Sequence, residues 1–326
     1  MTSPTRSSGW PAPGSAAGGA ASDPAVSTTP DPVPSRRRRG ADLLPYLLVA
    51  PVMVFIAGLA LVPAVWTVVQ SFFRVDALDP PTRFDGFGNF ERLARDSGVV
   101  GSIGNTAYYV VVGVALSTVL GIAMAVVLQR AFPGRSWVIA VLILPWALPG
   151  VVSGILWTGI FDPNAGLINS LLSTLHLSDG TAVLLGQNRL LTITLIELVQ
   201  VWQITPLSVL LILAVLQLIP SELYEAAEID GCSPWGAFRR ITLPLARPGI
   251  AVTMVQAVIA TLNVFDQPYV LNGAATTGAS VTMQTYFISF GDLDFGKGYA
   301  LSLLITLVTL VISVGVVRLV YRRVEL

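Results

Sequence analysis

Charge is what this 326-residue chain has least of. Only 12% of its residues are Asp, Glu, Lys or Arg, about half the share usual in a soluble domain. That is too little to cover a water-soluble globule of this length, and it excludes an all-soluble fold. Cysteine is nearly absent: Cys232 stands alone, which excludes an intramolecular disulfide and any Cys-rich metal site. The lone histidine, His176, excludes a multi-His zinc site. Net charge is zero, so the basic face that a nucleic-acid partner requires is missing. Lysine occurs once, at Lys297. A phosphate-binding loop of the lysine-bearing kind could therefore form only around Gly291–Gly298. There Gly298 stands where the motif wants Ser or Thr for magnesium, and no strand pattern precedes it. No recognisable ATP-hydrolysing site is left.

What the chain does have is apolar length. Apolar residues make up 53% of it, which excludes disorder throughout. Six apolar stretches stand out, at about 44–71, 105–128, 136–160, 190–216, 247–271 and 299–320. Each is long enough to cross a bilayer as a helix, which takes roughly 20 residues. Pro51, Pro63, Pro145, Pro149 and Pro206 lie inside them; membrane helices tolerate proline where neighbours satisfy the freed backbone groups. The expected fold is an all-α integral membrane protein with six transmembrane helices over 41–326. Residues 1–40 are rich in Ser, Pro, Ala and Gly and end in Arg36–Arg39, so a disordered cytosolic tail is expected. The apolar run that follows is much longer than the 7–15 residues of a signal-peptide core and reads as an uncleaved first span.

Six spans put both termini on one side, and the positive-inside rule selects it. With cytosolic termini, the inner side holds Arg6, Arg36–Arg39, Arg130, Arg135, Arg239, Arg240, Arg247, Arg318, Arg322 and Arg323. The outer side holds Arg74, Arg83, Arg92, Arg95, Arg189 and Lys297. Cytosolic termini are the better fit.

Polar residues within the spans are few and therefore informative. Glu197, Gln200 and Gln203 recur at steps of three in the fourth stretch, and Gln256, Asn263 and Gln267 share a face of the fifth. Amides could meet sugar hydroxyls, with Trp202, Tyr269, Trp146 and Trp157 offering apolar faces. The competing reading is helix-to-helix hydrogen bonding for the amides and interfacial anchoring for the aromatics. The row Gly113, Ser117, Gly121, Ala125 in the second stretch reads as a packing face.

The loop 217–246 is the most informative segment. Pro220 ends a span, Ser221 is a candidate N-cap, and Glu222 and Glu225 suit a first helical turn. Ala226 and Ala227 favour helix, and Gly231 is a candidate left-handed cap before Pro234 opens a second short helix. The spacing Glu225-Ala226-Ala227, then Gly231, then Ile241, Leu243 and Pro244 resembles the signature loop of bacterial binding-protein-dependent ABC importer permeases of the type I kind. Looser stretches in matching order (Pro45–Pro51, Phe84–Phe90, Asn105-Thr106, Pro163–Asn169, Phe265–Leu271) make the chain similar to the maltose-type carbohydrate permeases over about 43–323.

That resemblance implies a non-enzymatic translocation subunit in the cytoplasmic membrane. It implies a heterodimer with a homologous second permease, two ATPase subunits that bind the ATP and magnesium, an extracytoplasmic solute-binding protein, and no cofactor on this chain. It also implies that Glu225, Ala226, Ala227, Asp230, Gly231, Ile241, Leu243 and Pro244 form a coupling element that docks on the ATPase. In that loop Cys232 is a small filler. The alternative from another class is a secondary transporter driven by an ion gradient through Glu197; an integral membrane enzyme would need a cluster of acids or histidines that the sequence lacks.

Overall fold

The computed structural model describes residues 44–177, 182–273 and 275–320. The expected tail 1–40 and the Arg322-Arg323 pair lie outside the described residues. In chain order the elements are α1 (Leu44–Gln70), a two-stranded antiparallel ribbon of β1 (Phe73–Arg74) and β2 (Arg83–Phe84), α2 (Gly88–Arg95) and α3 (Ser97–Gln129). There follow α4 (Arg135–Ala147), α5 (Gly150–Ile160), α6 (Leu167–Thr174), α7 (Arg189–Leu216), α8 (Glu222–Ile229) and α9 (Pro234–Ala237). A π-helical turn, Phe238–Thr242, leads into α10 (Leu243–Leu262). Then come α11 (Asp266–Asn272), α12 (Val281–Tyr286), a second π-helical turn (Phe287–Gly291) and α13 (Phe295–Val320). By contacts the chain divides between Phe55 and Ile56. Every described side chain of α1 is exposed or half-exposed.

From α3 onward the helices pack through small residues. Gly113, Ser117, Gly121 and Ala125 are all buried on α3. A β-carbon on Gly121 would lie 3.0 Å from Ser208 Cβ on α7, so the small-residue row is a packing face against α7. One apolar cluster joins α3, α7 and α10 through Ala125, Leu128, Val209, Ile212, Ala246 and Ile250. A second, nearer the other end, joins Tyr109, Ile196, Val199 and Val264.

Two of the six apolar stretches are not single helices. The stretch 136–160 is bent by 99° between α4 and α5. The cause is local: Leu148 precedes Pro149, which forbids it the helical region, and it adopts φ −78, ψ 136. Among the described residues five helices are membrane-length by themselves, and the bent pair makes a sixth crossing if counted as one. The stretch 247–271 is likewise not continuous, because α10 stops at Leu262 and α11 restarts at Asp266. Asn263 turns its side-chain amide onto the Ile259 carbonyl (2.8 Å), a local bond that competes with helix continuation.

Breaks free carbonyls, and in a bilayer each must find a donor. At the first break Gln203 Nε2 donates to the Leu148 carbonyl (2.8 Å). At the second, Gln200 Nε2 donates to Ala260 O (3.3 Å), Thr282 Oγ1 to Leu262 O (3.1 Å), and Ser280 Oγ to Val264 O.

The segment between β1 and α3 is strapped to the start of α13. Gly296 N donates to Val75 O (2.9 Å), and a β-carbon there would sit 2.6 Å from Phe73 O. Asn89 Nδ2 donates to the carbonyls of Ser71 and Phe73 (both 2.8 Å). Lys297 Nζ meets Asp96 Oδ2 at 2.9 Å, while Asp96 also caps α3 by accepting from Gly98 and Val99. The only lysine is thus held in a structural ion pair. Burial pulls the Asp96 carboxyl upward, but the hydrogen bond from Lys297, the Val99 and Gly98 amides and the Lys297 charge together hold it below its ordinary value of 3.8. A carboxyl depressed in the fold stabilises it above that ordinary value, and the contribution disappears as pH falls through the depressed one. Thermal melting of the purified protein is expected to weaken below about pH 4. Asp96→Asn should lower stability at neutral pH and make the acid limb shallower. An acid limb identical in the variant would refute this role for the clamp.

Candidate functional site

The 217–246 loop is two short helices set at an angle. α8 is exposed along most of its length, with Glu225, Ala226 and Asp230 outward and Ala227 half-buried. Ser221 is not the N-cap expected of it. Its backbone is already helical (φ −64, ψ −29) and its side chain makes no capping bond, because helical torsions turn the hydroxyl away from the amides it would cap. Gly231 does close the helix: it has φ +73, and Cys232 N donates back to Ala227 O (2.8 Å), the six-to-one bond of a Schellman cap. Ser233 then caps α9 by accepting from Gly236 N (3.2 Å), with Pro234 in the first turn. Tyr224 Oη and Thr242 Oγ1, 3.0 Å apart, latch the two limbs together. Ile241, Leu243 and Pro244 are half-buried at the root, where Leu243 packs against the α3–α7–α10 cluster.

The expected loop residues thus divide into an outward group (Glu225, Ala226, Asp230) and a root that hands over directly to α10, with Gly231 setting the angle. Two members were missed by sequence reasoning. Ile229 is 87% exposed and Trp235 69% exposed, the latter stacked on Phe238 (5.2 Å between rings). The available signal was a large apolar residue on each side of a turn in an otherwise polar loop.

At its other end α10 reaches a polar cavity of about 270 Å³ between the two helix breaks. Gln200, Gln203, Asn263, Asp266 and Gln267 line it, with Gly150. Gln267 Nε2 donates to Gln203 Oε1, so Gln203 ties both breaks together. Gly150 opens α5 directly against Asp266, and a β-carbon there would overlap the carboxylate. The start of an eleven-residue helix is a favourable place for that negative charge. Asp266, Gly150 and Phe265 were not among the pathway residues expected from the sequence, because only folding brings the two breaks together. Amide side chains both donate and accept, which suits a neutral polyhydroxylated ligand.

Other expected pathway residues stand apart. Glu197 is buried at 1% exposure, outside the cavity lining, and neither of its oxygens has a hydrogen-bond partner among the described residues. It packs against Gly113, where a β-carbon would overlap Oε1 and would lie 2.6 Å from Thr261 Cγ2. Gln256 is half-buried on α10 and is not part of the lining. Trp202 meets Trp157 edge-on (5.6 Å), and neither lines the cavity. Tyr269 stacks on Phe265 (5.2 Å), a lining residue.

Comparison with known proteins gives a consistent picture. The family model described as binding-protein-dependent transport system inner membrane component matches residues 117–326. The trehalose/maltose transport system permease protein MalF of Thermococcus litoralis is 34% identical over 266 residues, 80% of this chain and 88% of that protein. The trehalose transport system permease protein SugA of Mycobacterium tuberculosis is 30% identical over 263 residues, 80% of this chain and 83% of that protein. A crystal structure of a bacterial ABC transporter involved in the import of the acidic polysaccharide alginate superposes with a TM-score of 0.75 at 22% identity, covering 87% of this chain and 97% of that one. At that identity the likeness is one of fold.

Proposed function

Because the chain belongs to the family of binding-protein-dependent transport system inner membrane components, we propose that it is a translocating subunit for carbohydrate in the cytoplasmic membrane, driven by ATP hydrolysed on partner subunits. One observation carries the reading. A single helix, α10, is continuous with the exposed loop at Leu243 and lines the polar cavity at Ala260. A displacement imposed on the loop is therefore delivered to the site where the two broken helices meet. Rigid-body movement of packed helices, with hinges at element ends, is an established form of such switching.

In this reading Glu225, Ala226, Asp230 and Gly231, with Ile229 and Trp235, form the surface that meets an ATPase subunit. Ile241, Leu243 and Pro244 transmit its motion. ATP and magnesium sit on the two ATPases. A homologous second permease completes the pathway, and a solute-binding protein delivers the sugar from outside. Both termini face the cytosol, with the bent α4–α5 pair as one of six crossings, in keeping with the excess of arginine on that side. Gln200, Gln203, Asn263, Asp266 and Gln267 offer the hydrogen bonds to sugar hydroxyls. The substrates named for these relatives, trehalose and maltose, support the carbohydrate class. The gradient-driven alternative has little behind it: Glu197 is sealed among α3, α7 and Thr261 and does not line the cavity.

Uptake of radiolabelled trehalose into proteoliposomes holding the complete importer tests the reading. Uptake should require ATP on the ATPase side and persist when proton and sodium gradients are collapsed. Uptake that follows the gradient and ignores ATP would overturn it.

A further inference from the structure

The polar cavity has a neighbour. On the far side of Asn263 and Phe265 lies a second cavity of about 540 Å³, bounded by α12, the π-helical turn after it, and α13. Both residues line both cavities. Ligand sites usually occupy about 300–1,000 Å³; the polar cavity falls short of that range alone, whereas the larger one lies within it.

The second cavity differs in character. Its rings run in unbroken contact: Phe265 to Tyr286 at 5.4 Å, and Tyr286 to Phe290 at 5.3 Å. The π-helical turn Phe287–Gly291 begins where Tyr286 ends α12; such widened turns recur at functional sites. Hydroxyls stand beside the rings. Those of Thr282 and Thr285 are taken up by the carbonyls of Leu262 and Val281. Those of Ser289, Tyr299 and Ser302 also line the cavity and hydrogen-bond to no other described residue. Gly298 lies close beside Ser289, whose Oγ a β-carbon there would overlap. An aromatic floor with free hydroxyls at its edge suits a pyranose, whose C–H face lies on the electron-rich ring face while its hydroxyls find partners at the rim.

Charge narrows the class further. Across the linings of both cavities the only ionisable acid or base is Asp266, apart from tyrosine. A phosphate or uronate group would meet that carboxylate with no arginine or lysine to balance it, and like charges repel strongly away from water.

We propose that the aromatic cavity is a second sugar subsite continuous with the polar one, so that the transported ligand is an uncharged carbohydrate of at least two rings. This rests on the polar cavity being the transport site. The test is calorimetric titration of the permease pair with its ATPases in nanodiscs, without the solute-binding protein, using trehalose, glucose, and sn-glycerol 3-phosphate as competitor. Trehalose should bind at least tenfold more tightly than glucose. Tyr286→Ala and Phe290→Ala should each weaken trehalose by about tenfold and leave glucose unchanged. Tyr286→Phe keeps the ring and should stay within about threefold of wild type, which separates lost stacking from lost folding. sn-Glycerol 3-phosphate should not compete. If both alanine variants bind trehalose as wild type does while Asn263→Ala and Gln203→Ala lose it, the second subsite is overturned and the polar site stands. If all four bind as wild type does, both readings fail. Displacement of trehalose by sn-glycerol 3-phosphate overturns the uncharged class.

Discussion

Replacing Gly231 by valine is expected to abolish ATP-driven uptake while the membrane helices stay folded. Gly231 has φ +73, and a β-carbon there would meet nothing within 4 Å. The penalty is therefore conformational. A left-handed torsion costs an ordinary L-residue roughly 1–2 kcal/mol, and a β-branched one fares worse. Relief comes by abandoning the turn, which breaks the Cys232-to-Ala227 bond and changes the angle between α8 and α9. Glu225, Ala226 and Asp230 then no longer present one surface with Trp235. The whole fold has about 5–15 kcal/mol to draw on, so melting should fall only modestly. The proposed docking on an ATPase has no such reserve, since a misfit of about 1.4 kcal/mol is already tenfold. Gly231→Asn is the control, because asparagine enters the left-handed region readily, and it should keep most of the uptake. Both are read as uptake rate and ATPase stimulation in proteoliposomes. A valine variant that transports at the wild-type rate would show that the loop angle is not what couples the subunits.

The second large effect is expected at Gly113. In Gly113→Ala the new methyl would overlap Glu197 Oε1 and approach Thr261 Cγ2 to 2.6 Å. The site joins α3, α7 and α10, which pack against one another more extensively than any other elements among the described residues. Overpacking such a site costs about 1–3 kcal/mol, seen as a lower melting temperature and less protein recovered from membranes. The double variant Gly113→Ala with Glu197→Ala should recover more than half of that loss, because truncating the carboxylate vacates the space the methyl needs. Residues in direct contact give non-additive effects of this kind. Equal cost of Gly113→Ala in the presence and absence of the Glu197 side chain would sink the contact. The same cycle measures transport. Glu197→Ala with wild-type uptake would mark the carboxyl as a packing element rather than a step in the pathway.

The number and order of the apolar stretches were legible because lipid imposes a length rule on each helix separately. The Glu225–Gly231 segment was legible for a similar reason: a helix start, small residues and a left-handed cap are settled within a dozen neighbouring residues. Gly231 and Pro234 act as expected, and Ser221 fails only in the detail of its torsions. The Gly113–Ala125 row announced a packing face but not its partner. Reading was less secure where a residue's role depends on distant chain. Gln200 and Gln203 looked like one polar stripe with Glu197, yet the first two serve freed carbonyls at two helix breaks while Glu197 turns into the α3–α7 contact. Continuous apolar composition hid both breaks, because hydropathy averages over the very residues, Leu148 and Asn263, whose torsions end the helix.

The sequence by itself determined the solvent, the apolar stretches and the exposed loop with its glycine hinge, since each follows from composition or from bonds within a few residues. Only the tertiary structure decided that two helices break, that Asp266 faces the start of α5 at Gly150, and that Phe265, Tyr286 and Phe290 floor a cavity beside Asn263. Those outcomes depend on which freed carbonyl meets which donor across sequence separations as large as 60, as for Gln200 and Ala260, and no local preference encodes that pairing.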